Sequence, residues 1–284
     1  MSLQLAEQHY AAQARQEEAT SLLAAREWRR MGVDDLDGSW AKIVQRLTLL
    51  VASGQLGAAR AGATYVGQMV DVDPLAELNP AAWSGIASDG RPLDSLLYSS
   101  VVHTKELIGT GQEPPQALAA GGDWLGMIAR TQVADASRGA AGVAIAARPQ
   151  VGYVRLASAP CCQRCAVLAG KRFKWNTGFQ RHPRCDCRHV PTENGVTPDG
   201  YVADIPASQI RDLTKAQRNA IADGADTAQV INAHRAGRRS QDGMTTAEGS
   251  SVKGRRRLTP EGIYRVSSTR EEAVQRLRDN GYLL

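Results

Sequence analysis

The residues of this chain whose types and spacing could do chemistry lie in one short stretch. All five cysteines (Cys161, Cys162, Cys165, Cys185 and Cys187) fall within 27 positions, and two histidines, His182 and His189, flank the last two. The stretch reads Pro160-Cys161-Cys162-Gln163-Arg164-Cys165, then sixteen residues, then His182-Pro183-Arg184-Cys185-Asp186-Cys187-Arg188-His189. Thiolate and imidazole are soft or borderline donors, and a zinc ion takes four of them at tetrahedral corners about 2.0–2.3 Å away. A Cys-x-x-Cys turn puts two thiolates on one side of such an ion, and Cys162 and Cys165 have that spacing. The second cluster offers four donors, His182, Cys185, Cys187 and His189, for the two remaining corners. His182 and Cys185 repeat the gap of the first turn, whereas Cys185 and Cys187 would point to opposite sides of an extended segment. The favoured set is therefore Cys162, Cys165, His182 and Cys185, with Cys187 as first substitute and His189 as a further alternate. Four protein donors leave no corner open for water, so the zinc is expected to be structural.

Other catalytic arrangements are missing from the sequence. It contains no His-Glu-x-x-His, no His-x-Glu of the zinc deaminases, no Gly-x-Ser-x-Gly and no phosphate-cradling Gly-x-x-x-x-Gly-Lys. His9, His103 and His234 are isolated and read as surface or core groups. No segment has roughly 18 consecutive uncharged apolar residues, and Met1 to Arg15 lacks the apolar centre of a signal peptide, so the chain is expected to fold in a cytoplasm. In such a reducing compartment an odd cluster of cysteines points to metal binding before disulfides. The net charge of +5 is unevenly spread. Residues 1–148 hold 12 Lys and Arg against 16 Asp and Glu, net −4, and residues 149–284 hold 22 against 13, net +9. A basic second half could face nucleic acid or an acidic protein surface.

Around the cysteines the pattern is mostly helical. Ala6 to Arg30 predicts a polar helix that projects as an arm, and Ser39 to Leu50 predicts an amphipathic helix capped by Asp37 or Ser39. Further helices are expected over Gln55–Val70 and Leu93–Ile108, the latter ended by Pro114-Pro115, and over Trp124–Ala147, where small residues admit close neighbours. Val151 to Leu156 alternates as a strand. In Leu168 to Trp175, basic and aromatic residues interleave; Phe173 and Trp175 are expected to cover the metal, and Gly170 and Gly178 to shape the loop between the donor pairs. Short helices over Thr214–Ala222 and Thr227–Ala236 follow, then a Gly/Ser/Arg-rich stretch at about 237–257 expected to be mobile. A last helix spans Ser268–Asn280, with Ser268 as N-cap, Glu271 as its capping-box partner and Gly281 as C-cap. The expected class is α+β: a helical region over 1–148, a small zinc-stabilised knuckle domain over 149–205, and basic C-terminal helices over 206–284.

Several of these residues carry a resemblance. Cys162-x-x-Cys165, Leu168-x-Gly170-Lys171 and Gly178-Phe179-Gln180-Arg181-His182-Pro183-Arg184-Cys185-Asp186-Cys187-x-His189-x-Pro191 resemble the phage Mu protein F-like minor head proteins, in the form found in tailed phages of actinobacteria. Leu213 to Arg218, Ala222 to Asp226 and Arg278-x-Asn280-Gly281-Tyr282 are similar to the same subgroup, so the resemblance is dense over about 150–284. Cys161, beside Cys162, departs from the pattern. The resemblance implies a non-enzymatic head morphogenesis protein of the virion, assembled in the host cytoplasm and lying in the capsid interior. It implies the portal protein and the major capsid protein as partners, with packaged DNA a possible third through the basic half, and no membrane. A zinc-dependent nuclease using His182 or His189, or a protein binding packaged or injected DNA, is the alternative.

Overall fold

The computed structural model describes residues 3–176, 187–193, 205–234, 240–248 and 256–283. They form a mixed α+β protein whose first half is almost entirely helical. In chain order come α1 (Leu3–Trp28), α2 (Leu36–Met69), a 3-10 turn at Pro80–Trp83, α3 (Leu93–Leu97), α4 (Ser99–Gly109) and α5 (Pro114–Ala146). Then follow β1 (Val151–Leu156), β2 (Cys161–Cys162), α6 (Gln163–Leu168), β3 (Arg172–Phe173), β4 (Arg188–Glu193) and β5 (Ile210–Arg211). The chain closes with α7 (Lys215–Ala222), α8 (Thr227–Asn232), β6 (Thr245–Thr246), β7 (Arg257–Leu258), α9 (Pro260–Val266) and α10 (Arg270–Asp279). These elements divide into two units. The first takes the described residues of Met1–Val154, Arg172–Arg184 and His189–Tyr201; the second takes those of Arg155–Lys171, Cys185–Arg188 and Val202–Leu284. The segment 149–205, read from sequence as one knuckle domain, thus contributes to both.

In the first unit α1, α2, α4 and α5 pack on one another, α2 against α5 most extensively. The two helices expected over 39–50 and 55–70 are one. Trp40, Ile43, Leu47, Val51, Ala58, Tyr65, Val66 and Met69 keep the three- and four-residue spacing across Gly54, so one buried stripe runs the length of α2. Its N-cap is Asp35, whose carboxylate accepts the Gly38 N–H at 2.8 Å, and not Asp37 or Ser39. Pro114 and Pro115 open α5 instead of closing the helix before it, since an N-terminal turn has no use for the missing N–H. Nor is α1 an arm. It buries Gln13, Thr20, Ser21, Ala24, Glu27 and Trp28. Glu27, 4% exposed, pairs with Arg30 at 3.0 Å and with Arg46 of α2 at 3.1 Å. The Trp28 indole N–H donates to Leu118 O of α5 at 2.9 Å. The core of the unit joins Trp28, Trp40, Leu47, Leu97, Leu125 and their neighbours. A three-stranded sheet has β1 in the middle, between β3 and β4.

The second unit is built from short elements that need one another. β2 and β5 pair in parallel, β6 and β7 antiparallel. Thr214 caps α7 in a full capping box with Gln217, as the sequence suggests. The last helix is capped one residue later than expected, by Thr269, which accepts from Glu272 N–H at 3.2 Å. Within the stretch expected to be mobile, residues 240–248 and 256–257 are folded: Arg257 donates to Glu248 O, Asn280 O and Gln229 Oε1, each at 2.8 Å, with its guanidinium 4.2 Å from the Tyr282 ring centre. Residues 237–239 and 249–255 lie outside the described residues. Ala220, Val230, Ile263, Leu277 and Tyr282 form the main core.

Tyr282 gives this unit an alkaline limit. Its hydroxyl donates to Leu258 O at 2.8 Å, and burial pushes its pKa from 10.0 up to about 12. An unfolded tyrosine ionises near 10 while the folded one keeps its proton, so the stabilising contribution is complete below pH 10 and is lost as pH rises toward 12. Roughly 2–3 kcal/mol is expected to go over that window. Denaturant titrations between pH 8 and 12 check it: Tyr282→Phe should start less stable and decline less steeply than wild type.

Candidate functional site

The knuckle begins where β1 ends. β2 is only two residues long, but it is tied into the second unit by its ladder, with Cys161 opposite Ile210 and Cys162 opposite Arg211. Cys162 then acts as N-cap of α6: its backbone is extended at φ −79°, ψ 162°, and the Cys165 N–H points at its Sγ from 3.4 Å. Sulfur stands here where an N-cap normally presents oxygen. On the other side of α6, Ala166 and Val167 pack with Ile210, Leu213 and Ile231. That anchors the helix that carries Cys165.

The chain reverses after α6 through a type II turn. Ala169 sits at φ −58°, ψ 137°, Gly170 at φ +70°, and Lys171 N–H bonds Leu168 O at 3.2 Å. Glycine takes the third position of that turn without strain. The returning chain bonds Arg155 in both directions, Gly170 N–H to Arg155 O at 2.9 Å and Arg155 N–H to Lys171 O at 3.1 Å. Cys161, Cys165 and Cys187 are buried and Cys162 is partly exposed; all four are thiols and not disulfides. Among the described residues no three His, Cys, Asp or Glu side chains gather as a metal-holding group. His182, Cys185 and Gly178 lie outside the described residues. What is described of the favoured set, a Cys-x-x-Cys turn with an N–H aimed at its first sulfur, is chemistry suited to a soft divalent ion.

His189, the further alternate, has a different setting. It belongs to the first unit, where its ring meets Tyr153 edge-on at 4.4 Å between centroids. Its backbone carbonyl accepts from the Tyr65 hydroxyl at 3.2 Å. Phe173 and Trp175, expected to cover the metal, also belong to the first unit. Phe173 stacks on Tyr153 at 5.1 Å, following the strand register that sets the two opposite each other. Trp175 is 57% exposed. Together with Trp83, Tyr153, His189, Asp135 and Arg138 it lines a cleft of about 820 Å³ along α5. Sequence reasoning missed this cleft. Its one legible trace is the run of small residues read along 124–147, which leaves the helix surface open.

The isolated histidines have structural partners. His9 stacks on Tyr65 at 4.1 Å and His103 on Trp124 at 4.6 Å. His234, after α8, pairs through Nε2 with Glu261 of α9, while its Nδ1 lies 3.1 Å from Gln217 Nε2 in the capping box of α7. Thr214 closes the ring by donating its hydroxyl to Glu261 Oε1 at 2.6 Å. Several arginines of the basic half are likewise in use: Arg270 with Asp223 at 2.6 Å, Arg276 with Glu272 at 2.7 Å, and Arg257 as above.

No helix among the described residues is long and apolar enough to cross a membrane. Compared with protein-family models, with curated proteins and with solved structures, the chain matches none.

Proposed function

We propose that this chain is a minor head protein of a tailed phage, an assembly component and not an enzyme, whose cysteine segment is held together by one structural zinc ion. The observation that carries the reading is the knuckle itself: Cys162 capping α6 with the Cys165 N–H on its sulfur, at the head of the segment whose residues resemble the Mu protein F-like family. Cys162 and Cys165 would supply two donors. The other two come from His182 and Cys185, with Cys187 or His189 as alternates. The ion would do no chemistry on a substrate; it would replace the large core that short elements such as β2, β5 and α6 cannot build. The long helices of the first unit offer the surface for the portal protein and the major capsid protein. The family resemblance supports a place in the capsid interior, near packaged DNA.

Metal content tests the reading. Inorganic mass spectrometry of the purified chain, and of single variants at Cys162, Cys165, His182, Cys185, Cys187 and His189, is expected to give one zinc per chain, lost in four of the six. Absence of metal from freshly reduced protein would remove the zinc. Failure of the intact chain to bind purified portal protein or to co-assemble with capsid protein would remove the assembly role.

A further inference from the structure

Apolar surface gathers in one place on the first unit. Of the ten large apolar side chains exposed among the described residues, Ile86, Val143 and Trp175 line the cleft along α5. The wall of α5 is made there of Gly139, Gly142 and Ala146, which leaves a hollow of about 820 Å³. The polar side chains that line it are engaged with their own neighbours: Gln55 donates to Ile86 O at 2.8 Å, Gln132 accepts the Ser88 N–H at 2.8 Å, and Arg138 lies 3.5 Å from Asp135. A fourth exposed residue, Leu75, stands at the end of this wall. Its N–H donates at 2.7 Å to the carbonyl of Ala147, the residue after Ala146, while its side chain is 79% exposed and does not line the cleft of its own chain. Pro74 and Ala76 beside it are exposed as well. Three consecutive exposed apolar residues gain nothing for the fold of a single copy. The segment is nevertheless fixed on both sides. Arg148 Nε donates to Val72 O at 2.9 Å, the Asp71 N–H donates to Glu193 Oε1 at 3.0 Å, and Leu78 packs on the core of Ala58, Val133 and Ala140.

We propose that this face pairs two copies of the chain about a twofold axis, with Leu75 of each copy entering the cleft of the other. Knob and hollow lie side by side on one unit. A half-turn that carries one copy's Leu75 into its partner's hollow therefore brings the partner's Leu75 back into the first, and the contact closes at two. The charges agree with that pairing. Leu75 is framed by Asp73 and Glu77, and no Lys or Arg occurs anywhere from 61 to 90. The cleft carries the opposite sign at Trp175, where the neighbouring Lys174 is exposed. Carboxylates around the knob and an ammonium beside the hollow attract between copies, whereas knob against knob would set like charges together. Because the knob is already fixed in its own chain, little conformational freedom is lost when it enters the partner. One apolar anchor per copy makes a small contact, of the weak and reversible class, with an expected Kd of about 1–100 µM. This pairing goes beyond the assembly role and depends neither on it nor on the zinc.

Sedimentation equilibrium of the full chain, from about 1 to about 200 µM, tests it and is expected to show monomer and dimer alone. Leu75→Asp should weaken the dimer about tenfold or more, and Val143→Glu should do the same from the cleft side. Both side chains are exposed in the single copy, so circular dichroism and melting of the dilute chain stay as in wild type. A charge swap reads the pairing itself. A chain with Asp73→Lys and Glu77→Lys, and a second chain with Lys174→Glu, should each self-associate about threefold or more weakly than wild type, because like charges then meet. An equimolar mixture of the two should pair more tightly than either alone, since each knob in the mixed pair again faces a hollow of opposite sign. A chain that stays monomeric at about 200 µM, a dimer unchanged by Leu75→Asp or by Val143→Glu, a mixture no tighter than its parts, or association that grows past two copies would overturn the proposal.

Discussion

Gly62→Ala is expected to destabilise the first unit by about 2 kcal/mol, even though alanine is the better helix former by up to about 1 kcal/mol. A Cβ at this position of α2 would overlap the backbone oxygen of Ser137 in α5 and come 3.1 Å from its carbonyl carbon. These are main-chain atoms of a helix and cannot swing aside as the end of a side chain can. The two helices would have to separate where they pack most extensively, and overpacking of that kind costs about 1–3 kcal/mol or more before the propensity gain is subtracted. Thermal melting should fall by roughly 4–8 °C. The control is Gly142→Ala in α5, where the nearest atom is 4.0 Å away. That variant should melt at or above the wild-type temperature, by up to about 1 kcal/mol of added stability. Equal behaviour of the two would mean that close approach of α2 and α5 is not what Gly62 secures.

Cys165→Ser is expected to abolish zinc binding and with it the cooperative unfolding of the second unit. The apparent binding free energy of a structural zinc in a small domain is about 10–16 kcal/mol at neutral pH, and that energy is folding energy, because the donors are brought together only in the folded chain. Serine keeps the shape of the side chain but offers a poor donor at neutral pH. Cys161→Ser is the comparison, since Cys161 is equally buried but stands outside the proposed donor set. It should retain one zinc per chain and lose only the small packing contribution of a sulfur opposite Ile210. Inorganic mass spectrometry together with calorimetry distinguishes the two. Full metal content and unchanged melting in Cys165→Ser would sink the structural role, whatever the ion is.

Much of the local structure was legible because local rules decide it. The alternation of Val151 to Leu156 marks a strand, Thr214 followed by Gln217 marks a capping box, and Cys162 to Cys165 marks a tight turn; each is realised. What was not legible depends on partners far along the chain. Gly54 falls in the break expected between the helices over 39–50 and 55–70 until α2 is seen against its neighbours, where Gly54 makes room for the Thr20 and Val133 side chains and Gly62 for the Ser137 backbone. The polar face of α1 looks like an arm because Thr20 and Gln13 carry polar side chains; in the folded unit Thr20 bonds the Gln16 carbonyl at 2.9 Å and packs where Gly54 makes room. Pro114-Pro115 fits both the end of one helix and the start of the next, and residue type alone does not separate the two. The cleft escaped for a related reason. Trp83, Asp135, Tyr153 and His189 come from four separate stretches, and no spacing rule links them.

The ring of side chains around His234 has a further consequence, for the position of a proton. Gln217 accepts the Thr214 N–H at 2.8 Å through its own Oε1, so the atom it turns toward the imidazole is its amide nitrogen, which only donates. His234 Nδ1 must therefore hold a lone pair, and the ring's single hydrogen resides on Nε2, facing the Glu261 carboxylate. The hydrogen-bond pattern that starts α7 thereby selects one tautomer of a histidine on another element. A second proton on Nδ1 would set donor against donor and force Gln217 to turn over, opening the first turn of α7. In nitrogen-15 spectra, this one imidazole should report the neutral Nε2–H form for as long as that turn is intact.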